Sequence, residues 1–292
     1  MMKKALIFGG TKFFGIHLVN QLLDKGYHVT IATRGKTPDP FGDSVRRVEV
    51  DRTDKQSLAR AFKHETWDVI YDQICFSSQD AMTAMEVFKG KTYKYVFTSS
   101  LSVYDMEQIT PPVTEEDFDP MKENLIVAGS DAFSYQEGKQ QAEAAFFQHA
   151  PFPVTAVRFP IVLGENDYTG RLALYIKKIK YHQGVYLDNP QAEMNFISEQ
   201  EAGRFLAWLA GMHIAEPINA CATGVVSLEG LLNQIAEITG QGIVYSDKES
   251  ESPYNIPSTW TMSNEKAEGH GFAFSNLQDW LPKLIEKLAV QV

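Results

Sequence analysis

The chain is poor in cysteine: Cys75 and Cys221 are the only two in 292 residues. They are too few and too far apart for a disulfide framework or a cysteine-rich metal site, and they read as reduced thiols of a cytoplasmic protein. Positive charge is short as well. Twenty-seven Lys and Arg stand against 37 Asp and Glu, for a net charge of -10. That balance argues against nucleic acid or an anionic membrane as a partner, because both are bound through basic surface. The densest cationic stretch, "YIKKIKYHQG" (175–184), spaces its lysines as one solvated helix face. No apolar run approaches the roughly 18–20 residues of a membrane span. "MMKK" opens like a secretory signal, but the apolar run "ALIF" stops at Gly9, short of the usual apolar segment. Internal repeats, low-complexity tracts and flexible linkers are absent, and the histidines of "HETW" and "EGHGF" lack metal-ligand spacing.

With 44% hydrophobic and 22% charged residues, the chain can bury a large core. Short β-rich runs, "KALIFGG", "HVTIATR", "RRVEVD", "WDVIYDQICF", "YKYVFTSS" and "VTAVRFPIVLG", alternate with segments of three-to-four apolar spacing such as "GIHLVNQLLDKG", "DKQSLARAFKH", "DAMTAMEVFKG" and "YQEGKQQAEAAFFQHA". The alternation predicts an α/β fold: a doubly wound parallel sheet of the Rossmann kind, with its ligand cleft beyond the carboxyl ends of the strands. After residue 160 the rhythm loosens. We expect a dinucleotide-binding lobe over 1–160, with a later contribution near 195–225, and a smaller, interleaved substrate lobe over 161–292.

"GGTKFFG" (9–15) follows the first strand and opens the first helix. Such a turn brings backbone N–H groups and a helix N-terminus toward a pyrophosphate, although tight strand-to-helix turns also occur without a ligand. Gly9 and Gly15 take the outer glycine positions, and Lys12 stands where a third glycine is usual. A second constellation is "SYQEGK", in which Tyr135 and Lys139 lie four apart on one helix face. It follows the strand ending in Ser99 and Ser100. The plain alternative is a packed tyrosine, a surface lysine and a strand-end serine.

With these three features in this order, the sequence resembles the short-chain dehydrogenase/reductase superfamily in its extended, sugar-epimerase-like branch. "TSSLSVY" (98–104) resembles the branch's S-S-x-x-V-Y segment, "YQEGK" matches Y-x-x-x-K, and "RFPIVLG" resembles the strand that closes over the nicotinamide. "GGTKFFG", "ATRGK" and "VDRTD" look most like a subgroup that includes the chloroplast stem-loop-binding proteins and bacterial proteins of the NAD-dependent epimerase/dehydratase type. The resemblance implies Ser100, Tyr135 and Lys139 as catalytic residues. It implies a cofactor set of Gly9, Gly10, Thr11, Lys12, Phe13, Phe14 and Gly15 in the turn, then Arg34, Asp51, Arg52, Cys75 and Phe159, with Tyr135 and Lys139 shared. A lysine ammonium and an oxidised nicotinamide both favour the phenolate, so Tyr135 would act as acid-base near neutral pH.

Departures from the branch narrow the reaction. Leu101 and Ser102 replace the acidic residues that dehydratases carry, which argues against elimination of water. Ile161 stands where nucleotide-sugar epimerases often have asparagine. "GENDYTGR" (164–171) offers Asp167, Tyr168 and Arg171 to a substrate, or is a plain surface loop. His17 reads as packed or capping rather than as a ligand, and Cys75 as a tolerated small side chain.

The function implied is an NAD(P)-dependent oxidoreductase or epimerase acting on a secondary alcohol or ketone, including one in a sugar. The alternative is a regulatory protein that senses the dinucleotide, or binds RNA, without turnover. A small-molecule substrate is the expected partner, and the oligomeric state is left open, a homodimer included. NADP is the expected cofactor, with NAD as the alternative. Thr33 ends the second strand where NAD-preferring folds place Asp or Glu, and Arg34 follows with a guanidinium able to grip a phosphate. If Arg34 instead stacks on adenine and Lys12 is solvated, the site is permissive.

Overall fold

The computed structural model describes residues 2–247 and 252–292, so Met1 of the "MMKK" start lies outside it. Among the described residues the strands, in chain order, are β1 (Lys4–Phe8), β2 (His28–Thr33), β3 (Arg46–Glu49), β4 (Val69–Asp72), β5 (Tyr95–Ser100), β6 (Val154–Phe159), β7 (Ile161–Leu163), β8 (Glu193–Met194), β9 (Phe196–Ser198), β10 (Pro217–Asn219) and β11 (Val226–Ser227). The helices are α1 (Phe14–Asp24), α2 (Lys55–Ala61), α3 (Ser78–Phe88), α4 (Tyr135–His149), α5 (Arg171–Lys180), α6 (Glu199–Leu209), α7 (Leu228–Thr239), α8 (Glu265–Gly269) and α9 (Leu277–Gln291). No helix among them is long and apolar enough to cross a membrane.

Two units share these elements. The first comprises residues 1–104, 115–159 and 200–220. It holds a seven-stranded parallel sheet in the order β10-β6-β5-β4-β1-β2-β3, the doubly wound order that the alternating pattern predicts. α1 buries Gly15, Leu18, Val19 and Leu22, the stripe its spacing implies. Ser77 and Ser134 cap α3 and α4, and Glu137 reaches back to complete a capping box at the start of α4. α3 and α4 cover one face of the sheet, where Leu6, Phe8, Ile70, Phe97 and Phe146 form the core.

The second unit comprises residues 105–114, 160–199 and 221–292. α5, α7 and α9 pack together there around Tyr175, Phe196, Leu231 and Leu281, beside the short pairs β7–β9 and β8–β11. The stretch 105–114 groups with it because Val113 exchanges backbone hydrogen bonds with Thr261 and Ser263.

Three local expectations are corrected. "VTAVRFPIVLG" is not one strand: β6 stops at Phe159, and β7 pairs with β9 instead. Pro160 lies at the break, where it has no N–H to give a ladder. The strand in "WDVIYDQICF" ends at Asp72, whose carboxylate accepts the Ile74 N–H and turns the chain into a loop. The lysines of α5 do not form a solvated face. Lys178 is buried and Lys180 donates to the carbonyls of Ala289 and Val292, leaving only Lys177 exposed.

The polar centre of the first unit is a fully buried ion pair between Glu143 of α4 and Arg158 of β6, at 2.6 Å. Its geometry exhausts the guanidinium. Nε and Nη2 donate to Glu143, Nη1 to the Tyr104 hydroxyl and the Glu115 carbonyl, and Nη2 also to the Phe118 carbonyl. Removing one partner strands the other charge. Glu143→Leu should therefore lower the unfolding free energy by about 3–5 kcal/mol in urea titration, and adding Arg158→Met should recover part of the loss.

Candidate functional site

The site forms where the carboxyl ends of β1 to β5 meet their following loops in the first unit. The turn after β1 is sharply folded: Gly9 and Gly10 have φ of 98° and 85°, and Phe13, which is not glycine, sits at 52°. Gly10 packs on Ile7, Val19 and Ile31, and its N–H donates to Gln73 Oε1 at 3.1 Å. A methyl at Gly15 would lie 2.8 Å from the Gly10 Cα and 2.7 Å from Gln73 Oε1, so only glycine fits. α1 starts without a side-chain cap and without an acidic residue in its first turn, whereas Asp54, Ser77 and Ser134 cap α2, α3 and α4.

Beside the turn lies a cavity of about 410 Å³. Gly9, Thr11, Lys12, Thr33, Arg34, Lys36, Thr37, Val50, Asp51, Arg52, Thr53, Ile74 and Phe76 line it. Uncapped N–H groups at a glycine turn, four cationic side chains and one carboxylate make a set that fits the phosphates and adenosine of a dinucleotide. Asp51 is held below the ordinary carboxylate range, first by the Thr53 hydroxyl, then by the Thr53 N–H, with Arg34 and Lys36 adding charge.

Gly9, Thr11, Lys12, Arg34, Asp51 and Arg52 thus come together around the cavity. The other residues of the expected cofactor set do not line it. Gly10 and Gly15 form the floor of the turn, while Phe13 and Phe14 lie against each other with ring centroids 5.6 Å apart. Phe159 is buried between Phe14 and Phe205. The Cys75 thiol is fully buried, with Sγ 3.7 Å from the Ser77 carbonyl and its pKa pushed up by burial to about 12, the opposite of a reactive thiolate. Arg52, although at the wall, is spent on structure. It pairs with Asp72 at 2.6 Å and donates to the Asp80 carbonyl at 2.9 Å. Burial opposes its charge, but Asp72 and Asp80 outweigh that and raise its pKa.

The catalytic candidates divide between core and surface. Lys139 is buried, and its Nζ donates to the Cys75 carbonyl at 2.9 Å and the Thr98 carbonyl at 2.8 Å. Desolvation drives its pKa down to about 8, against the pull of Cys75, Asp72, Glu143 and Asp80. Tyr135, one turn earlier at the start of α4, is 57% exposed, with its ring centroid 5.8 Å from Lys139 Nζ. Ser100 ends β5, the strand that supplies the Thr98 carbonyl, and its hydroxyl lies 3.0 Å from that of Ser102. His17 is packed: a methyl on Gly203 would fall 2.5 Å from its Cβ. In the second unit, Arg171 lines a cavity of about 480 Å³ with Thr169 and Ser252, while Asp167 uses its carboxylate on Thr169.

Four residues escape the sequence pattern. Gln73 and Phe76 lie within a run that reads as strand, and Lys36 within a polar loop. Glu49 is paired in register with Thr33, and a methyl on Gly35 would lie 3.1 Å from its carboxyl carbon. A carboxylate therefore does stand at this end of the sheet, one strand over from the expected position, and no local motif reveals it.

Residues 5–212 match the model of the NAD dependent epimerase/dehydratase family. Among curated proteins, the chain is 24% identical over 254 residues to the chloroplast stem-loop binding protein of 41 kDa b of Arabidopsis thaliana, covering 82% of this chain and 64% of that protein. It is 26% identical over 143 residues to the 2'-dehydrokanamycin reductase of Streptomyces kanamyceticus, covering 48% of this chain and 40% of that one. The chain thus spans less than two thirds of the length of these relatives. Of solved structures, it resembles the UDP-glucose 4-epimerase of Thermus thermophilus in complex with NAD, with a TM-score of 0.74 and 16% identity over 99% of this chain and all of that one. At that identity the likeness is one of fold.

Gly15→Ala forces a methyl into backbone. It should lower stability by about 1–3 kcal/mol and abolish dinucleotide binding, as measured by thermal unfolding with and without added NADP.

Proposed function

Given that the chain belongs to the NAD-dependent epimerase/dehydratase family, we propose that it is an NAD(P)-dependent oxidoreductase or epimerase acting on a secondary alcohol or ketone, with a sugar derivative among its substrates. The observation that carries this reading is the placement of Lys139. A buried ammonium is held there by two carbonyls, one turn from the exposed Tyr135 and beside the strand that ends in Ser100, and this juxtaposition is what supports a catalytic use.

Gly9, Thr11 and the start of α1 would hold the pyrophosphate, and Arg34, Asp51 and Lys12 the adenosine end. A bound nicotinamide dinucleotide supplies the hydride acceptor or donor. Tyr135 then takes the substrate's hydroxyl proton, or returns one to the carbonyl oxygen. The Lys139 ammonium favours the phenolate by charge. Ser100 donates a hydrogen bond to the reacting oxygen, with Ser102 beside it to orient the hydroxyl. The RNA-binding alternative is kept open by the name of the Arabidopsis relative. Salt-sensitive retention of RNA by a protein inactive on every carbonyl and alcohol tested would replace the enzymatic reading.

Tyr135→Phe should keep the fold and most dinucleotide affinity while lowering turnover by about a hundredfold or more. Turnover equal to the parent would remove Tyr135 from the acid-base role. For the cofactor, NADP is favoured by Arg34 and Lys12, and opposed by the nearby Glu49. Calorimetry should show tighter binding of NADP than of NAD, with Arg34→Ala weakening NADP selectively. The reverse preference would assign the site to NAD, and equal weakening of both would make it permissive; either outcome removes the NADP assignment.

A further inference from the structure

Three aromatic rings lie within cation–π range of the Lys139 ammonium: Phe76 with its centroid at 4.5 Å, Phe97 at 4.9 Å and Tyr135 at 5.8 Å. Phe97 belongs to the core of the sheet. Phe76 does not: it is 40% exposed, on the loop after β4, and its ring centroid lies 6.3 Å from that of Tyr135. An aromatic residue left half in water carries little folding energy at its position, yet this one is held at every point. Its N–H donates to Asp80 Oδ2 at 3.0 Å, and Arg52 holds Asp80 in turn. Its carbonyl oxygen presses on Gly138, where a methyl would lie 2.4 Å away. The same residue lines the cavity beside the glycine turn.

We propose that Phe76 is a positioning residue for the Tyr135–Lys139 pair: its ring faces the lysine ammonium, stabilises its charged form and sets the tyrosine ring at the mouth of the dinucleotide cavity. The proposal rests on the oxidoreductase reading for its purpose, but not for its physical content. Lys139 has lost most of its water and has no carboxylate in direct contact, so the quadrupoles of the surrounding rings take part of the place of solvent. The ionisable groups acting on it are Asp72 at the end of β4, Cys75 in the loop, Asp80 on α3 and Glu143 on its own helix, with Tyr135 alongside. All of them are unchanged by substitution at residue 76.

The test follows the titration of Lys139 by NMR in the full chain with 13C-labelled lysines and no added dinucleotide, the resonance being assigned with Lys139→Met. The parent midpoint is expected near pH 8. Phe76→Leu keeps an apolar side chain but removes the quadrupole, and should lower the midpoint by about half a unit to one and a half units. Phe76→Tyr should stay with the parent. A purely structural role would shift thermal stability and leave the midpoint in place. An unchanged or raised midpoint in Phe76→Leu overturns the proposal, and Phe76→Met supplies the same readout if the leucine variant does not fold. Calorimetry with NADP and NAD separates the two claims. A lowered midpoint in a protein that binds neither dinucleotide keeps the role of Phe76 toward the ammonium and ends the oxidoreductase reading. Binding with an unmoved midpoint does the opposite.

Discussion

The first unit is organised around the placement of a single guanidinium. Arg158 sits on β6, one strand in from the sheet edge, with no solvent contact, and such a charge is tolerable only when every donor has a partner. Glu143 neutralises it, and its Oε1 also accepts the Ser99 hydroxyl. Tyr104, tied in turn to Asn219, and the carbonyls of residues 115 and 118 take the remaining donors. Glu143 follows Lys139 by four residues and Tyr135 by eight, so the three share one face of α4. Fixing Glu143 to β6 and Ser99 therefore fixes the rotation of α4, and with it the direction in which the site residues point.

The same helix holds a second buried cation under different terms. Arg158 has a carboxylate in direct contact and its pKa is raised, which keeps its charge permanent. Lys139 has carbonyls and rings instead, and its pKa falls to about 8. One cation serves as a fixed anchor and the other lies close to its titration point, although Lys139 and Glu143, the partner of Arg158, are one helical turn apart on α4. The loop after β4 makes the difference, because its Cys75 carbonyl and Phe76 ring stand where an acid would have locked the proton on.

Much of the architecture can be read from local pattern. The alternation of β-rich runs with three-to-four apolar spacing matches the parallel sheet and its helices, because each element buries its face independently of distant residues. The glycine turn and the four-residue step from Tyr135 to Lys139 are local spacings as well. The rest is not legible in this way. Gln73, Phe76 and Glu49 matter through what stands opposite them, and Arg52 looks like a ligand contact until Asp72 and Asp80 are seen to occupy it. Lys178 and Lys180 look solvated on a helical wheel because their neighbours come from elsewhere in the chain. The break at Pro160 is visible in the sequence, yet its neighbours on both sides have equal strand character, so only the pairing of β7 with β9 shows what the proline divides.

The late position of β10 in the chain bears on the order in which the protein is made. Its residues pair with Ala156, Val157 and Arg158, and the Tyr104 hydroxyl is completed only by Asn219. As the chain leaves the ribosome, β6 and its arginine wait through about sixty residues, most of them belonging to the other unit, before that edge is covered. Until then the nascent sheet ends in an open strand, and the Tyr104 hydroxyl beside Arg158 has yet to meet Asn219. During synthesis this is the place where a chaperone, or an unwanted second strand, would find the molecule receptive.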